Sequence, residues 1–86
     1  MKQLNSEIFI DGLNYIRFLE STTHYLYIAF YNKGKHYTQM HHIEVFERRV
    51  DSDGNEMFPN DRDFAEWAKC FRKDNLQTAI NFFYDT

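Results

Sequence analysis

The segment Tyr-Leu-Tyr-Ile-Ala-Phe-Tyr at residues 25–31 constrains the fold of this chain more than any other. Successive side chains of a strand point to opposite faces of its sheet, so this strand has two apolar faces to cover. One face carries Leu26, Ile28 and Phe30. The other carries Tyr25, Tyr27 and Tyr31. A small antiparallel sheet usually covers one face with its own helices, and tyrosine suits a protein interface. We therefore predict an exposed tyrosine-rich face that binds a partner protein.

The length and composition predict one small domain spanning residues 1–86. The chain has 10 Lys and Arg residues and 13 Asp and Glu residues, and its net charge of −3 does not favour direct binding to nucleic acid. The single cysteine, Cys70, excludes an internal disulfide, which fits a reducing cytoplasm. No apolar run has the length of a membrane span, and the N-terminus lacks the apolar core of a signal peptide. We expect a cytoplasmic protein without a membrane partner.

Residues 14–58 are predicted to form an antiparallel sheet, with residues 1–13 as an N-terminal extension or a short extra strand. Asp11-Gly12 is typical of a two-residue hairpin turn, because both central positions of such a turn require a positive φ. The alternating and β-branched segments predict strands over residues 7–10, 14–20, 24–31, 36–50 and 55–58.

Residues 61–84 are predicted to form two helices. After a potential cap at Asn60, apolar residues recur at helical spacing at Phe64, Trp67, Ala68 and Phe71. The spacing recurs after Asp74, at Leu76, Ala79, Ile80 and Phe83. The predicted fold is an α+β two-layer sandwich, in which a four- to five-stranded antiparallel sheet is covered on one face by two C-terminal helices.

The register after Gly34 decides which residues of the next strand share the tyrosine face. A two-residue turn at Lys33-Gly34 pairs Phe30 with Tyr37, whereas a three-residue loop reverses the faces of that strand. We prefer the first register because it turns Ile43 and Val45 toward the helices. It gives an open face that contains Tyr25, Tyr27, Tyr31, Thr38, Met40, His42, Glu44 and Phe46.

Metal binding and catalysis are weakly supported. His41 and His42 are adjacent in a predicted strand, so we expect their rings on opposite faces, and no zinc-ligand spacing is present. Cys70 with a histidine is the one potential nucleophile pair, but no catalytic motif accompanies it. We expect no cofactor, no metal and no catalytic residue.

Two alternatives to partner binding stay open. The tyrosine face suits self-association, so the chain is expected to be a monomer or a weak dimer. Basic residues interleaved with aromatic ones, such as Arg17, Lys33 and Arg48, suit a single-stranded RNA-binding module, although the net negative charge argues against it. Binding to RNA would weaken steeply with salt, whereas an aromatic protein interface would not.

Three segments carry a resemblance to a known family. They are Ile-Arg-Phe-Leu at residues 16–19, Tyr-Ile-Ala-Phe-Tyr-Asn-Lys-Gly at residues 27–34, and residues 58–67 with the amphipathic segment that follows. Together they resemble a family of phage anti-CRISPR proteins, the small α+β inhibitors of the type I-F surveillance complex. The resemblance covers roughly residues 14–84 and leaves out the N-terminal residues.

The resemblance implies a non-catalytic inhibitor in the cytoplasm of the host bacterium. Such proteins bind the backbone subunits that hold the guide RNA, and they block hybridisation of target DNA. The family's binding tyrosine on the first strand matches Phe18, which lacks the hydroxyl, and the tyrosine that closes the second strand matches Tyr31. The family's glutamate matches His42, or Glu44 after a shift of two residues. The candidate partner-binding residues are Phe18, Tyr25, Tyr27, Tyr31, His42 and Glu44.

Overall fold

A computed structural model describes residues 2–32 and 39–86. Within these residues, five strands form one antiparallel sheet in the order β1-β2-β3-β4-β5, and one α-helix follows it. The bounds are Glu7–Ile10 for β1, Leu13–Glu20 for β2, His24–Tyr31 for β3, Met40–Glu47 for β4, Ala68–Arg72 for β5 and Leu76–Tyr84 for α1. The α+β class and the five-stranded antiparallel sheet agree with the sequence. The predicted turn at Lys33-Gly34, the pairing of Phe30 with Tyr37 and the predicted place of Thr38 lie outside the described residues.

The β1–β2 hairpin forms where the sequence predicts it. Asp11 and Gly12 have φ angles of 52° and 79°, both in the left-handed region, and Ile10 pairs with Leu13 across the turn. Aspartate and glycine are among the residues that adopt this region with least strain, so the dipeptide fixes the turn type and the register of the hairpin.

The prediction of a helix at the start of residues 61–84 is wrong. Asn60 does form the expected cap, because its side chain accepts from the N–H of Arg62 while Asp63 accepts from the N–H of Asn60. The helix is only a 3-10 turn over Asp61–Asp63, and Ala65 then adopts a φ of 75°, which no right-handed helix accepts. The chain continues into β5, so one helix covers the sheet instead of two.

The second predicted helix is confirmed as α1. Asn75 precedes it without a side-chain capping bond. The helix packs over β3, β4 and β5. The predicted strand over residues 55–58 is reduced to isolated bridges, in which Lys2 pairs with Asn55 and Val50 pairs with Glu56.

Both faces of the sheet are covered, and this overturns the expected open tyrosine face. The helix-side core consists of Leu26, Ile28, Ile43, Val45, Phe71, Ala79 and Phe83. The opposite core consists of Tyr15, Tyr25, Tyr27, Ala29, Phe46, Trp67 and Ala68, with Leu4, Ile8, Met57, Phe58 and Phe64 packed against it. The N-terminal segment and the segment between β4 and β5 therefore form a second cover over the tyrosines.

A register shift between β3 and β4 changes the end of the sheet. Ala29 pairs with His42, but the next residue, Phe30, pairs with Met40, so His41 is the extra residue of a bulge. Met40 consequently packs with the helix-side core and not on the tyrosine side, where the sequence analysis put it. Within the described part of the chain, no helix is both long enough and apolar enough to cross a membrane.

Candidate protein-binding site

The structure divides the predicted partner-binding residues into buried and exposed ones. Tyr25 and Tyr27 are fully buried at 0% exposure, so the prediction that they form an open surface is wrong. Tyr31 is 38% exposed and Phe18 is 52% exposed. Of the predicted tyrosine stripe, the Tyr31 end is the part that reaches solvent.

Phe18 and Tyr31 lie at opposite ends of the pairing between β2 and β3. Tyr31 pairs with Leu13 at the start of β2, whereas Phe18 lies at a bulge near the end of that strand, beside Leu19. A strand rises about 3.3 Å per residue, which places the two positions about 16 Å apart along β2.

A chain of side chains leads from Tyr31 into the protein. The rings of Tyr31 and His41 meet edge to face with centroids 5.1 Å apart. Nδ1 of His41 lies 2.7 Å from Nδ1 of His42, and Nε2 of His42 lies 2.7 Å from Oε2 of Glu44. The expectation that His41 and His42 point apart is wrong, because the bulge at His41 breaks the alternation of the strand.

The hydrogen bonds assign the tautomers of the two histidines. A carboxylate accepts only, so in a neutral His42 ring Nε2–H donates to Glu44 and Nδ1 is left as an acceptor. Nδ1–H of His41 then donates to Nδ1 of His42, which lies 2.7 Å away. In this arrangement Nε2 of His41 is the free basic nitrogen at the outer end of the chain. Burial, together with His42 and Lys73, lowers the pKa of His41 below its ordinary value.

Glu44 is buried beneath these histidines. It is 4% exposed, and its Oε1 has no hydrogen-bond partner among the described residues. Burial is the main cause that raises the pKa of both Tyr15 and Cys70, and the negative charge of Glu44 raises it further. A thiol with a raised pKa is a poor nucleophile, so the pairing of Cys70 with Glu44 across β4 and β5 does not resemble an activated cysteine.

A groove of about 350 Å³ opens beside Tyr31, where β4 and β5 end. Its charged and polar lining residues are Tyr31, His41, His42, Arg72, Lys73 and Asp74. Arg72 pairs with His42 in the β4–β5 register, and Lys73 is close enough to His41 to affect its pKa. Arg72 and Lys73 are not predicted as neighbours of Tyr31, because the apolar spacing in this region indicates a helix where the structure has β5.

A second exposed apolar surface lies at the opposite edge of the sheet. Phe9 is 63% exposed and Ile10 is 36% exposed, and both belong to the edge strand β1. The N–H of Arg17 donates to the carbonyl of Ser6, and in an antiparallel ladder every second residue is hydrogen-bonded to the neighbouring strand. Ile8 and Ile10 are therefore the residues of β1 that are hydrogen-bonded to β2. The backbone groups of Glu7 and Phe9 point outward. This open edge lies outside the segments that carry the family resemblance.

No group of three or more His, Cys, Asp or Glu side chains in residues 2–32 and 39–86 is placed to hold a metal ion. Comparisons of the chain with protein-family models, with curated proteins and with solved structures give no match.

Proposed function

We propose that this protein is a phage-encoded anti-CRISPR inhibitor of a type I surveillance complex. It binds the backbone subunits that hold the guide RNA, and it blocks hybridisation of target DNA by occupying that surface, without catalysis. The site of inhibition is the bacterial cytoplasm.

The observation that carries this proposal is the half-exposed aromatic rim formed by Tyr31 and His41. Tyr31 is the residue that matches the family's binding tyrosine at the end of the second strand, and it keeps 38% of its surface exposed when Tyr25 and Tyr27 have none. Aromatic side chains with a polar tip dominate the energy of many protein interfaces. The order of strands and C-terminal helix is also compatible with the resemblance, although β5 replaces one helix.

The surface around Tyr31 favours a protein partner of mixed polarity. His41 and His42 lie beside it, while Glu44 orients His42 from below. In this arrangement His42 and Glu44 act as supports of the rim, and Tyr31 and His41 make the contacts. Phe18, which is 52% exposed and lies about 16 Å away along β2, stays a candidate for the edge of the same interface.

A plaque assay on a bacterial host with type I CRISPR immunity tests the proposal. Expression of the wild-type protein is expected to restore plaquing of a targeted phage, and Tyr31→Ala is expected to lose most of this effect. A buried aromatic anchor contributes about 2 kcal/mol or more to binding, which corresponds to roughly thirtyfold in affinity. Pull-down of the complex from the same host should show the same loss.

Tyr84→Ala is the matched control, because Tyr84 is also an exposed tyrosine, at 68%, but lies at the end of α1. It should inhibit as well as the wild type. Immunity that is unchanged by the wild-type protein in every type I host would reject the proposal. Equal loss for Tyr31→Ala and Tyr84→Ala would reject the assignment of the binding surface.

Self-association is a second candidate function, favoured by the open edge of β1. An unprotected edge strand with an exposed Phe9 and no lysine, proline or bulge is prone to pair with another strand. Sedimentation equilibrium is expected to show concentration-dependent dimers that Phe9→Lys abolishes. Phe82→Lys, at a residue with 37% exposure on α1, is the control that should leave any dimer intact.

A further inference from the structure

We propose that the groove beside Tyr31 binds a phosphate group. The cationic side chains that line it come from three successive parts of the fold: His41 from β4, Arg72 from the end of β5, and Lys73 from the turn before α1. This inference deepens the proposed function by naming a ligand for the same site, and the identity of the phosphate's source rests on that function.

The two strong cations of the groove are free to bind an anion. Across residues 2–32 and 39–86 the ion pairs involve Arg17, His42, Arg48 and Arg49, and neither Arg72 nor Lys73 forms one. Both are exposed. Asp74 is the one carboxylate on the lining, and Glu44 beneath it is engaged by His42. The guanidinium of Arg72 offers a planar fork and Lys73 offers a compact charge, a combination typical of phosphate sites.

The histidine pair supplies the third donor. Because Nδ1 of His41 is matched with His42, its Nε2 is the atom left to meet a ligand, and in the tautomer that carries Nδ1–H it donates only when the ring is protonated. A phosphate oxygen beside this nitrogen favours the protonated ring. Binding therefore takes up a proton at His41 and tightens as the pH falls through the range in which histidine titrates.

A carboxylate fits this lining less well than a phosphate. It presents two oxygens in one plane, so after a bidentate bond with the fork of Arg72 it offers Lys73 and His41 only lone pairs in that same plane. A phosphate presents three acceptor oxygens in different directions, so donors on three separate elements can all be used. The exposed ring of Tyr31 at the rim would then lie beside whatever group the phosphate carries.

The groups that face His41 set its proton affinity. They are Tyr31 from β3, His42 with Glu44 from β4, Arg72 from β5, and Lys73 with Asp74 from the following turn. Burial, and after it the charges of His42 and Lys73, lower the pKa of His41 in the free protein. A bound anion reverses that effect, so the pKa of His41 should rise on binding.

NMR titration of the isolated protein tests the inference. Inorganic phosphate is expected to shift the side-chain resonances of His41, Arg72 and Lys73 saturably. Arg72→Gln should weaken binding by roughly tenfold or more, since hydrogen bonds to charged groups are the strong ones. Arg62→Gln, an exposed arginine on the 3-10 turn, is the matched control that removes the same charge elsewhere and should bind as the wild type does.

Sulfate stays doubly charged over the pH range in which histidine titrates. Any pH dependence of its affinity therefore comes from the protein and not from the ligand. Its affinity is expected to rise as the pH falls, and His41→Gln should abolish this rise while His24→Gln preserves it. Shifts that never saturate, or equal weakening by Arg72→Gln and Arg62→Gln, would overturn the inference. A pH dependence that survives in His41→Gln would remove His41 from the site.

A short single-stranded RNA separates the two sources of the phosphate. Tighter binding of RNA than of inorganic phosphate, lost in Arg72→Gln and steeply weakened by salt, assigns the groove to a nucleic-acid phosphate. Equal binding of both assigns it to a free phosphate, and no binding of either overturns the inference. These titrations involve no surveillance complex, so their outcome is independent of the plaque assay, and either proposal can fail alone.

Discussion

The hydroxyl of Tyr25 donates to the buried carboxylate of Glu56, a residue 31 positions further along the chain. Glu56 also accepts from the N–H of Leu4 at 3.1 Å and from Nε of Arg48 at 2.8 Å. This one carboxylate therefore connects β3, the N-terminal segment and the segment between β4 and β5. It fixes the second cover over the tyrosine side of the sheet.

Replacement of Glu56 should be among the most damaging single substitutions. Glu56→Gln keeps the shape but leaves Arg48 and Tyr25 with a neutral partner, and breaking a buried charge pair costs about 3 kcal/mol or more. Urea unfolding followed by tryptophan fluorescence measures the loss. Glu66→Gln, at an exposed glutamate without an ion pair in residues 2–32 and 39–86, should change the free energy of unfolding by less than about 0.5 kcal/mol.

The same carboxylate makes stability depend on acid. Burial alone would raise the pKa of Glu56, but its hydrogen bonds with Tyr25, Arg48 and Leu4 outweigh this and lower it. A lowered folded-state pKa contributes stability above the ordinary glutamate pKa of about 4.3, and the contribution is lost as the pH falls through the folded value. The difference in unfolding free energy between wild type and Glu56→Gln should therefore shrink below about pH 4.5. A difference that stays constant down to pH 3 or so would contradict this assignment.

Substitutions along β3 should show that both of its faces are core. Tyr25→Ala is expected to cost about 3–5 kcal/mol and Leu26→Ala about 2–5 kcal/mol, since both side chains are 0% exposed. Tyr31→Ala at the exposed end should cost less than about 1 kcal/mol. Thermal melting of the three variants decides the matter. A normal melting temperature for Tyr25→Ala would mean that the N-terminal cover is not in place in solution.

The hairpin, the strand β3 and the last helix were predictable because local signals there agree with the final packing. Asp11-Gly12 determines its turn through backbone conformation alone. The residues of α1 that face the sheet, Ala79 and Phe83, are the ones that the helical spacing selects. At these positions sequence periodicity and tertiary burial point to the same structure.

The region from Phe64 to Phe71 was not predictable in the same way. Ala68 and Phe71 of β5 lie in the cores on opposite faces of the sheet, so the strand has no polar face to mark its alternation. Spacings of three and four residues then imitate a helical stripe. The positive φ of Ala65 breaks that helix, and alanine gives no warning of it.

The candidate site was half predictable. Tyr31 was identified from its place at the end of β3, but its neighbours depend on the bulge at His41 and on β5 lying next to β4. A bulge carries no sequence signature in His-His, and strand order is a property of the whole fold. The burial of Tyr25 and Tyr27 depends likewise on distant segments, because the N-terminal segment and the segment between β4 and β5 pack on them.

Removal of residues 1–5 gives the sharpest test of that second cover. The carbonyl of Asn5 accepts from the hydroxyl of Tyr27 at 2.7 Å, the carbonyl of Leu4 accepts from Arg17, and the N–H of Leu4 donates to Glu56. The truncated protein should lose these bonds and the packing of Leu4, at a cost of about 2–4 kcal/mol. It should also expose the tyrosine side, which a hydrophobic dye such as ANS would report at temperatures where the wild type does not bind it.

Leu4→Ala, which keeps the backbone bonds, is expected to lose only the part of this stability that comes from side-chain packing. Because Tyr31 and His41 lie at the other end of the tyrosine side, inhibition in the plaque assay should persist below the melting temperature of the truncated protein. A truncated protein that melts like the wild type would show that the second cover contributes nothing to the fold.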